Sequence, residues 1–71
     1  MHTILVFKTN INTHEQILTV NNILSNRAEI KKWNIDLDDC DKVLRVESSQ
    51  TEVAHVIRIL KPHEIHCEEL L

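Results

Sequence analysis

The spacing of apolar residues changes repeatedly between two periods along the chain, and this constrains the fold more than any single motif does. Runs typical of β-strands cover residues 3–9, 33–37, 42–47 and 65–69. Between them, apolar residues recur at helical spacing in two segments. The helical positions are Ile17, Val20, Ile23 and Leu24 in the first segment and Val53, Val56, Ile57 and Leu60 in the second. The predicted element order is therefore β-α-β-β-α-β.

Capping and turn signals separate these elements. Segments 13–16 (Thr-His-Glu-Gln) and 49–52 (Ser-Gln-Thr-Glu) both match the capping box, in which a hydroxyl accepts from a helix N–H and the fourth side chain reaches back. Asn26 is predicted to end the first helix in a left-handed conformation, since the chain contains no glycine. Pro62 is predicted to end the second helix, and the acidic segment 38–41 to form the turn between the middle strands.

This element order predicts a ferredoxin-like α+β sandwich. Two right-handed crossovers fold it into a four-stranded antiparallel sheet with both helices on one face. The sheet order 4-1-3-2 makes the first and third strands central. Three connections, residues 10–16, 38–41 and 61–64, then share one end of the sheet. A chain of 71 residues fits one small domain, here 1–71.

Composition favours a soluble cytoplasmic protein without catalytic activity. The net charge of −3 leaves no basic surface, so nucleic-acid binding is not expected. No apolar run has membrane-spanning length and no signal-peptide pattern is present, so we expect no membrane association. The two cysteines are then expected to be free thiols in a reducing compartment. No serine shows a histidine and acid partnership, and the acidic surroundings of Cys40 do not suit a nucleophile, so an enzyme is not expected.

Over most of its length, the chain resembles the heavy-metal-associated domain of copper chaperones and metal-pumping ATPases. That family carries a Met-x-Cys-x-x-Cys loop between its first strand and first helix. Setting Ile11 on the family's methionine places Thr13 and Gln16 on the two cysteines. Without a gap, Val20 and Leu24 then fall on the family's apolar helix positions. The resemblance implies the ferredoxin-like fold and a metal-carrying or protein-binding role.

The match continues beyond this helix. Ile30, Trp33, Ile35 and Leu37 follow the family's second strand, and past Val46 the match requires length changes.

The departure from the family pattern falls on the metal ligands. Paired thiolates bind Cu(I) or Zn(II) because they are anionic and polarizable. The hydroxyl of Thr13 and the amide of Gln16 are neutral and weak ligands, and Lys8 stands where the family has an apolar strand residue. We therefore expect no metal at Thr13 and Gln16, no cofactor, and a helix cap in place of the metal loop.

A relocated metal site is the alternative. His14, Cys40 and His63 belong to the three connections that share one end, and His/Cys sets suit Zn(II). These residues would make the protein a carrier of Zn or Cu, although no tight ligand spacing supports the set. His66 and Cys67 look like ligands in the sequence, but alternation on a strand points them to opposite faces, with Cys67 in the core.

An apolar patch on the sheet is the main sign of a partner. If Ile4 and Val6 face the helices, then Leu5 and Phe7, joined by Val43, lie on the open sheet face that no helix covers. Such a patch is typical of a protein contact, either with another protein or in a homodimer. The leading hypothesis is a non-catalytic interaction module without the family's metal loop. A small-ligand sensor is a weaker alternative that rests on fold analogy.

Overall fold

The computed structural model describes residues 3–49 and 51–70. Its elements follow the predicted order, with a 3-10 turn added after the second helix. They are β1 (Thr3–Thr9), α1 (His14–Ser25), β2 (Ile30–Asp36), β3 (Val43–Ser48), α2 (Val53–Leu60), the 3-10 turn (Lys61–His63) and β4 (Cys67–Glu69). Among these described residues, no helix is long and apolar enough to cross a membrane.

The four strands form one antiparallel sheet in the order β2-β3-β1-β4. β1 lies between β3 and β4, with Phe7 opposite Leu44 on one side and Glu69 on the other. Leu24 of α1 and Leu60 of α2 belong to the same buried cluster as Phe7 and Leu44, so both helices pack on one face of the sheet. The ferredoxin-like α+β fold, with β1 and β3 central, is confirmed.

The two faces of β1 are the reverse of the predicted ones. Phe7 is fully buried and Leu5 is 8% exposed, whereas Ile4 is 64% exposed. Leu5 lies opposite Val46, which is also buried and belongs to the same core cluster. Because successive strand residues point to opposite faces, Leu5 and Phe7 face the helices and Ile4 faces away from them.

The predicted contact surface is therefore wrong. Leu5, Phe7 and Val43 are all buried, so none of them presents apolar area to a partner. They also do not share a face, because Val43 alternates with Leu44, which packs beside Phe7.

Two local predictions also differ from the structure. Asn26 ends α1 with φ −96° and ψ 10°, which is not left-handed, and its Nδ2 donates to the carbonyl of Asn22 at 2.6 Å. Within residues 3–49 and 51–70, positive φ angles occur instead at Lys42, with φ 48°, and at Glu64, with φ 62°. Each lies in a turn where the chain reverses direction, and such a residue destabilises the backbone by roughly 1–2 kcal/mol.

The second predicted capping box does not form. β3 continues to Ser48, and α2 begins at Val53 with Glu52 as an N-cap residue that makes no side-chain cap bond. The buried hydroxyl of Ser48 instead accepts a hydrogen bond from the N–H of Thr51 at 3.3 Å. Pro62 lies in the 3-10 turn that directly follows the end of α2, as predicted.

Candidate functional site

Thr9 joins two of the three connections at one end of the sheet. It is the last residue of β1 and is buried. Its N–H donates to the carbonyl of Asp41 at 3.0 Å and its Oγ1 donates to the carbonyl of Lys42 at 2.6 Å. The same Oγ1 accepts from the N–H of Ile11 at 3.1 Å. The turn between β2 and β3 is thereby attached to the loop between β1 and α1.

Asn10 attaches the third connection. Its N–H donates to the carbonyl of His66 at 3.3 Å, and its Oδ1 accepts from the N–H of His66 at 3.0 Å. Its Nδ2 donates to the carbonyl of Glu64 at 3.2 Å. The prediction that the three connections share one end of the sheet is confirmed by these bonds, and the loop before α1 is held from both sides.

The loop before α1 ends in the predicted capping box. Thr13 Oγ1 accepts from the N–H of Gln16 at 3.2 Å, and Gln16 Oε1 accepts from the N–H of Thr13 at 2.9 Å. Gln16 Oε1 also accepts from the N–H of Asn12 at 2.6 Å, and Gln16 Nε2 donates to the carbonyl of Asn10 at 3.4 Å. The side-chain atoms of Thr13 and Gln16 are therefore engaged with each other and with the loop backbone. As neutral oxygen and nitrogen donors, they do not fit Cu(I).

The three histidine and cysteine candidates occupy exposed positions on three different segments. His14 is the first residue of α1, Cys40 lies in the turn between β2 and β3, and His63 ends the 3-10 turn. Among the described residues, the ligand atoms of only one group of three or more His, Cys, Asp or Glu lie within 4.8 Å of one another, and that group is Asp39, Cys40 and Asp41. His14, Cys40 and His63 are not gathered into such a group, so the carrier hypothesis stays a prediction that requires these segments to move.

Turn geometry accounts for the group around Cys40. Asp39 Oδ1 accepts from the N–H of Asp41 at 2.8 Å, and the N–H of Lys42 donates to the carbonyl of Asp39 at 3.0 Å. Lys8 Nζ lies 3.9 Å from Asp41 Oδ1, which places a cation beside the carboxylates. The sequence predicted a turn at this acidic segment, and nothing in the bonding of its aspartates requires an ion.

The second cysteine has a different environment. Cys67 on β4 lies opposite Thr9 and packs against the core cluster, as predicted. Burial raises the pKa of the Cys67 thiol to about 11. The ordinary pKa of a cysteine thiol is 9.0. Above that pH the folded protein therefore still keeps the proton on the Cys67 thiol, whereas the unfolded chain releases it. Folding stability from this group is lost as the pH rises from about 9 to about 11.

We expect iodoacetamide to modify Cys40 of the native protein at least about tenfold faster than Cys67 at pH 8, because only about one thiol in a thousand with a pKa near 11 is ionised there. Peptide mass spectrometry after timed quenching measures both rates. In denaturant the two rates should converge. Equal rates in the native protein would contradict the partial burial of the Cys67 thiol.

A polar cleft at the other end of the molecule was missed by sequence reasoning. It has a volume of about 430 Å³ and is lined by Glu29, Thr51, Glu52, His55 and Arg58. His55 Nε2 lies 2.9 Å from Glu29 Oε2, although the two residues are 26 positions apart in the chain. A backbone hydrogen bond and then the one from His55 lower the pKa of Glu29. The pair of Glu29 and His55 could not be predicted from residue spacing, because only the tertiary fold brings the two residues together.

The open sheet face carries a mixture of charged and aliphatic side chains. They alternate along the strands with the core residues, and they point away from the helices. The open sheet face consists of Ile4, Val6, Lys8, Lys32, Asn34, Asp36, Arg45, Glu47, Glu68 and the buried Val43. A shallow cleft of about 120 Å³ is bordered by Ile4, Lys32, Trp33, Asn34, Arg45 and Glu47. Val43 therefore lies on this face, as predicted, but it is buried, and Ile4 and Val6 lie there in place of Leu5 and Phe7.

The fold is similar to that of a solved structure described as the apo form of the HMA domain of copper chaperone for superoxide dismutase. The TM-score is 0.83 and the sequence identity 14%, over 100% of this chain and 69% of that chain. At this identity the likeness shows a heavy-metal-associated-like fold and no more. No protein-family model matches the sequence, and no curated protein matches it.

Proposed function

We propose that this chain is a non-catalytic, cytoplasmic protein-interaction module on a heavy-metal-associated-like fold, in which a helix cap has replaced the cysteine-pair metal loop. The capping box of Thr13 and Gln16 is the observation that carries this proposal. It fills the place of the metal ligands with groups that bind the chain's own backbone.

The bonding of the loop supports the loss of metal transfer. A carrier needs ligands that can leave one metal complex and join another, whereas Gln16 Oε1 accepts two backbone N–H groups and the Thr13 hydroxyl accepts a third. Thr9 and Asn10 attach the same loop to its two neighbours. Opening it for a metal would break bonds that hold the end of β1 in place.

The open sheet face supports the interaction role. Ile4 is 64% exposed near the start of β1 and lies opposite Glu47, and Val6 lies opposite Arg45. A large aliphatic side chain exposed among charged residues is typical of a polar-rimmed contact surface. In this proposal, Ile4 and Val6 take the role that the sequence had assigned to the buried Leu5 and Phe7.

Native mass spectrometry of the untagged protein with equimolar Zn(II), and with Cu(I) under reducing conditions, tests the proposal. We expect no tight one-to-one uptake of either ion, because no thiolate pair is present in the loop. Uptake that disappears in both Cys40→Ala and His63→Ala would contradict the proposal and support the carrier on His14, Cys40 and His63. Uptake lost only in Cys40→Ala would place the ion in the turn between β2 and β3.

A further inference from the structure

The strand register arranges the open sheet face in rows that run across the strands. Residues directly opposite each other in neighbouring strands form a row, and rows on the same face are roughly 6.6–6.8 Å apart. The first of two neighbouring rows is Lys32, Glu47 and Ile4, and the second is Asn34, Arg45 and Val6. Each row therefore carries one charge on β3 and one branched aliphatic side chain on β1, and the charges have opposite sign.

This arrangement is complementary to itself. A two-fold axis that lies across the strands, midway between the two rows, places the first row of one copy against the second row of another. Arg45 then meets Glu47 of the second copy, and Glu47 meets its Arg45. Ile4 likewise meets Val6 of the second copy, and the exchange is again reciprocal. Two sheets that pack face to face lie about 10 Å apart, and their strand directions differ by at most about 30°. A rotation of this size moves residues near the two-fold axis very little, so the contacts close to the axis are kept.

Other placements of the axis fit less well. An axis through the second row would set Arg45 against its own equivalent. An axis along the strands between β1 and β4 would pair Lys8 with Glu68 of the second copy, but only two strands of each sheet would then overlap. The axis between the two rows brings three strands of each copy, β2, β3 and β1, into contact and includes the shallow cleft beside Ile4.

We propose that the open sheet face docks a second copy of this chain in a face-to-face, antiparallel dimer centred on Ile4, Val6, Arg45 and Glu47. This inference rests on the proposed function, which assigns the open sheet face to protein contact. Two aliphatic residues per copy bury little apolar area, so the association is weak and reversible, and added salt weakens it by screening the ion pairs.

Sedimentation equilibrium of the wild type, R45E and E47R tests the pairing. We expect each single variant to raise the dimer dissociation constant at least about tenfold, because like charges then face each other twice in every dimer. An equimolar mixture of the two variants should recover a dimer, since one copy then presents two glutamates and the other two arginines. The exchanged variant R45E/E47R should dimerise as the wild type does.

Lys8→Glu is the matched control, because Lys8 lies on the same face but outside both rows and is 55% exposed. It should leave the dissociation constant within about twofold, and circular dichroism should show every variant folded. A mixture that fails to restore the dimer, or a dimer insensitive to R45E, overturns the inference. If the wild type stays monomeric up to about 1 mM, the proposal that the partner is a second copy of this chain is overturned. The proposed interaction role is not overturned by that result, since another protein can still bind the open sheet face. Failure of the proposed function would appear separately, as tight metal uptake.

Discussion

Replacing Phe7 with alanine is expected to lower the free energy of unfolding by about 3–5 kcal/mol. Phe7 is fully buried at the centre of the sheet, opposite Leu44 and in the cluster shared with Leu24 and Leu60. The loss is comparable with the whole stability of a domain this small, so the variant should be largely unfolded at 25 °C. Urea unfolding followed by far-UV circular dichroism measures the change.

Ile4→Ala is the matched control for this prediction. Ile4 lies three positions earlier on the same strand but faces away from the helices and is 64% exposed. Its replacement should change the free energy of unfolding by no more than about 0.5 kcal/mol. A large loss from Ile4→Ala, with little loss from Phe7→Ala, would restore the strand faces predicted from the sequence.

The two faces of β1 show where sequence reasoning falls short. Residues 4–7 are all apolar, so alternation alone does not decide which pair enters the core. Lys8 contains the missing signal, because it shares a face with Ile4 and Val6 and a lysine is almost never fully buried. Giving weight to Lys8 would have assigned Leu5 and Phe7 to the core.

The element order was predictable because it depends on local periodicity and local caps. The capping box at Thr13 formed because β1 ends at Thr9 and leaves room for a loop before α1. The second box failed because β3 extends to Ser48, whose buried hydroxyl binds the N–H of Thr51. The pairing of strands in the sheet decides where a strand ends, and the spacing of the two capping-box residues contains no information about that pairing.

The features of the candidate sites depend even more on tertiary structure. Lys42 adopts a left-handed conformation where its carbonyl accepts the hydroxyl of Thr9, which lies 33 residues away in the chain. The pair of Glu29 and His55 joins the segment before β2 to α2 across 26 residues. No residue pattern within one segment contains such information. The shared end of the three connections was predictable, by contrast, because it follows from the topology alone.

Introducing a pair of cysteines, in the variant T13C/Q16C, is expected to create a Cu(I) site where we propose that the present chain has none. Two thiolates would then stand at the N-terminus of α1, where the helix dipole and the backbone N–H groups favour negative charge. The apparent Cu(I) affinity should rise by several orders of magnitude over that of the wild type. Competition with a chromophoric Cu(I) chelator under anaerobic, reducing conditions measures it.

T13S/Q16S is the control, because it also alters both cap residues but supplies hydroxyls in place of thiols. It should bind no more Cu(I) than the wild type. T13C/Q16C should be less stable than the wild type by about 1 kcal/mol because it loses the N-cap hydroxyl, whereas T13S/Q16S keeps a hydroxyl at the N-cap position. A cysteine variant that folds but takes up no Cu(I) would show that the loop held by Thr9 and Asn10 no longer has the geometry of a metal loop. A wild type that competes as well as the cysteine variant would instead show that a metal site survives elsewhere, and the proposal of an interaction module would fail. If T13C/Q16C gains a Cu(I) site and T13S/Q16S does not, the backbone of this loop is able to hold a metal. The loop would then differ from a metal loop mainly in two side chains.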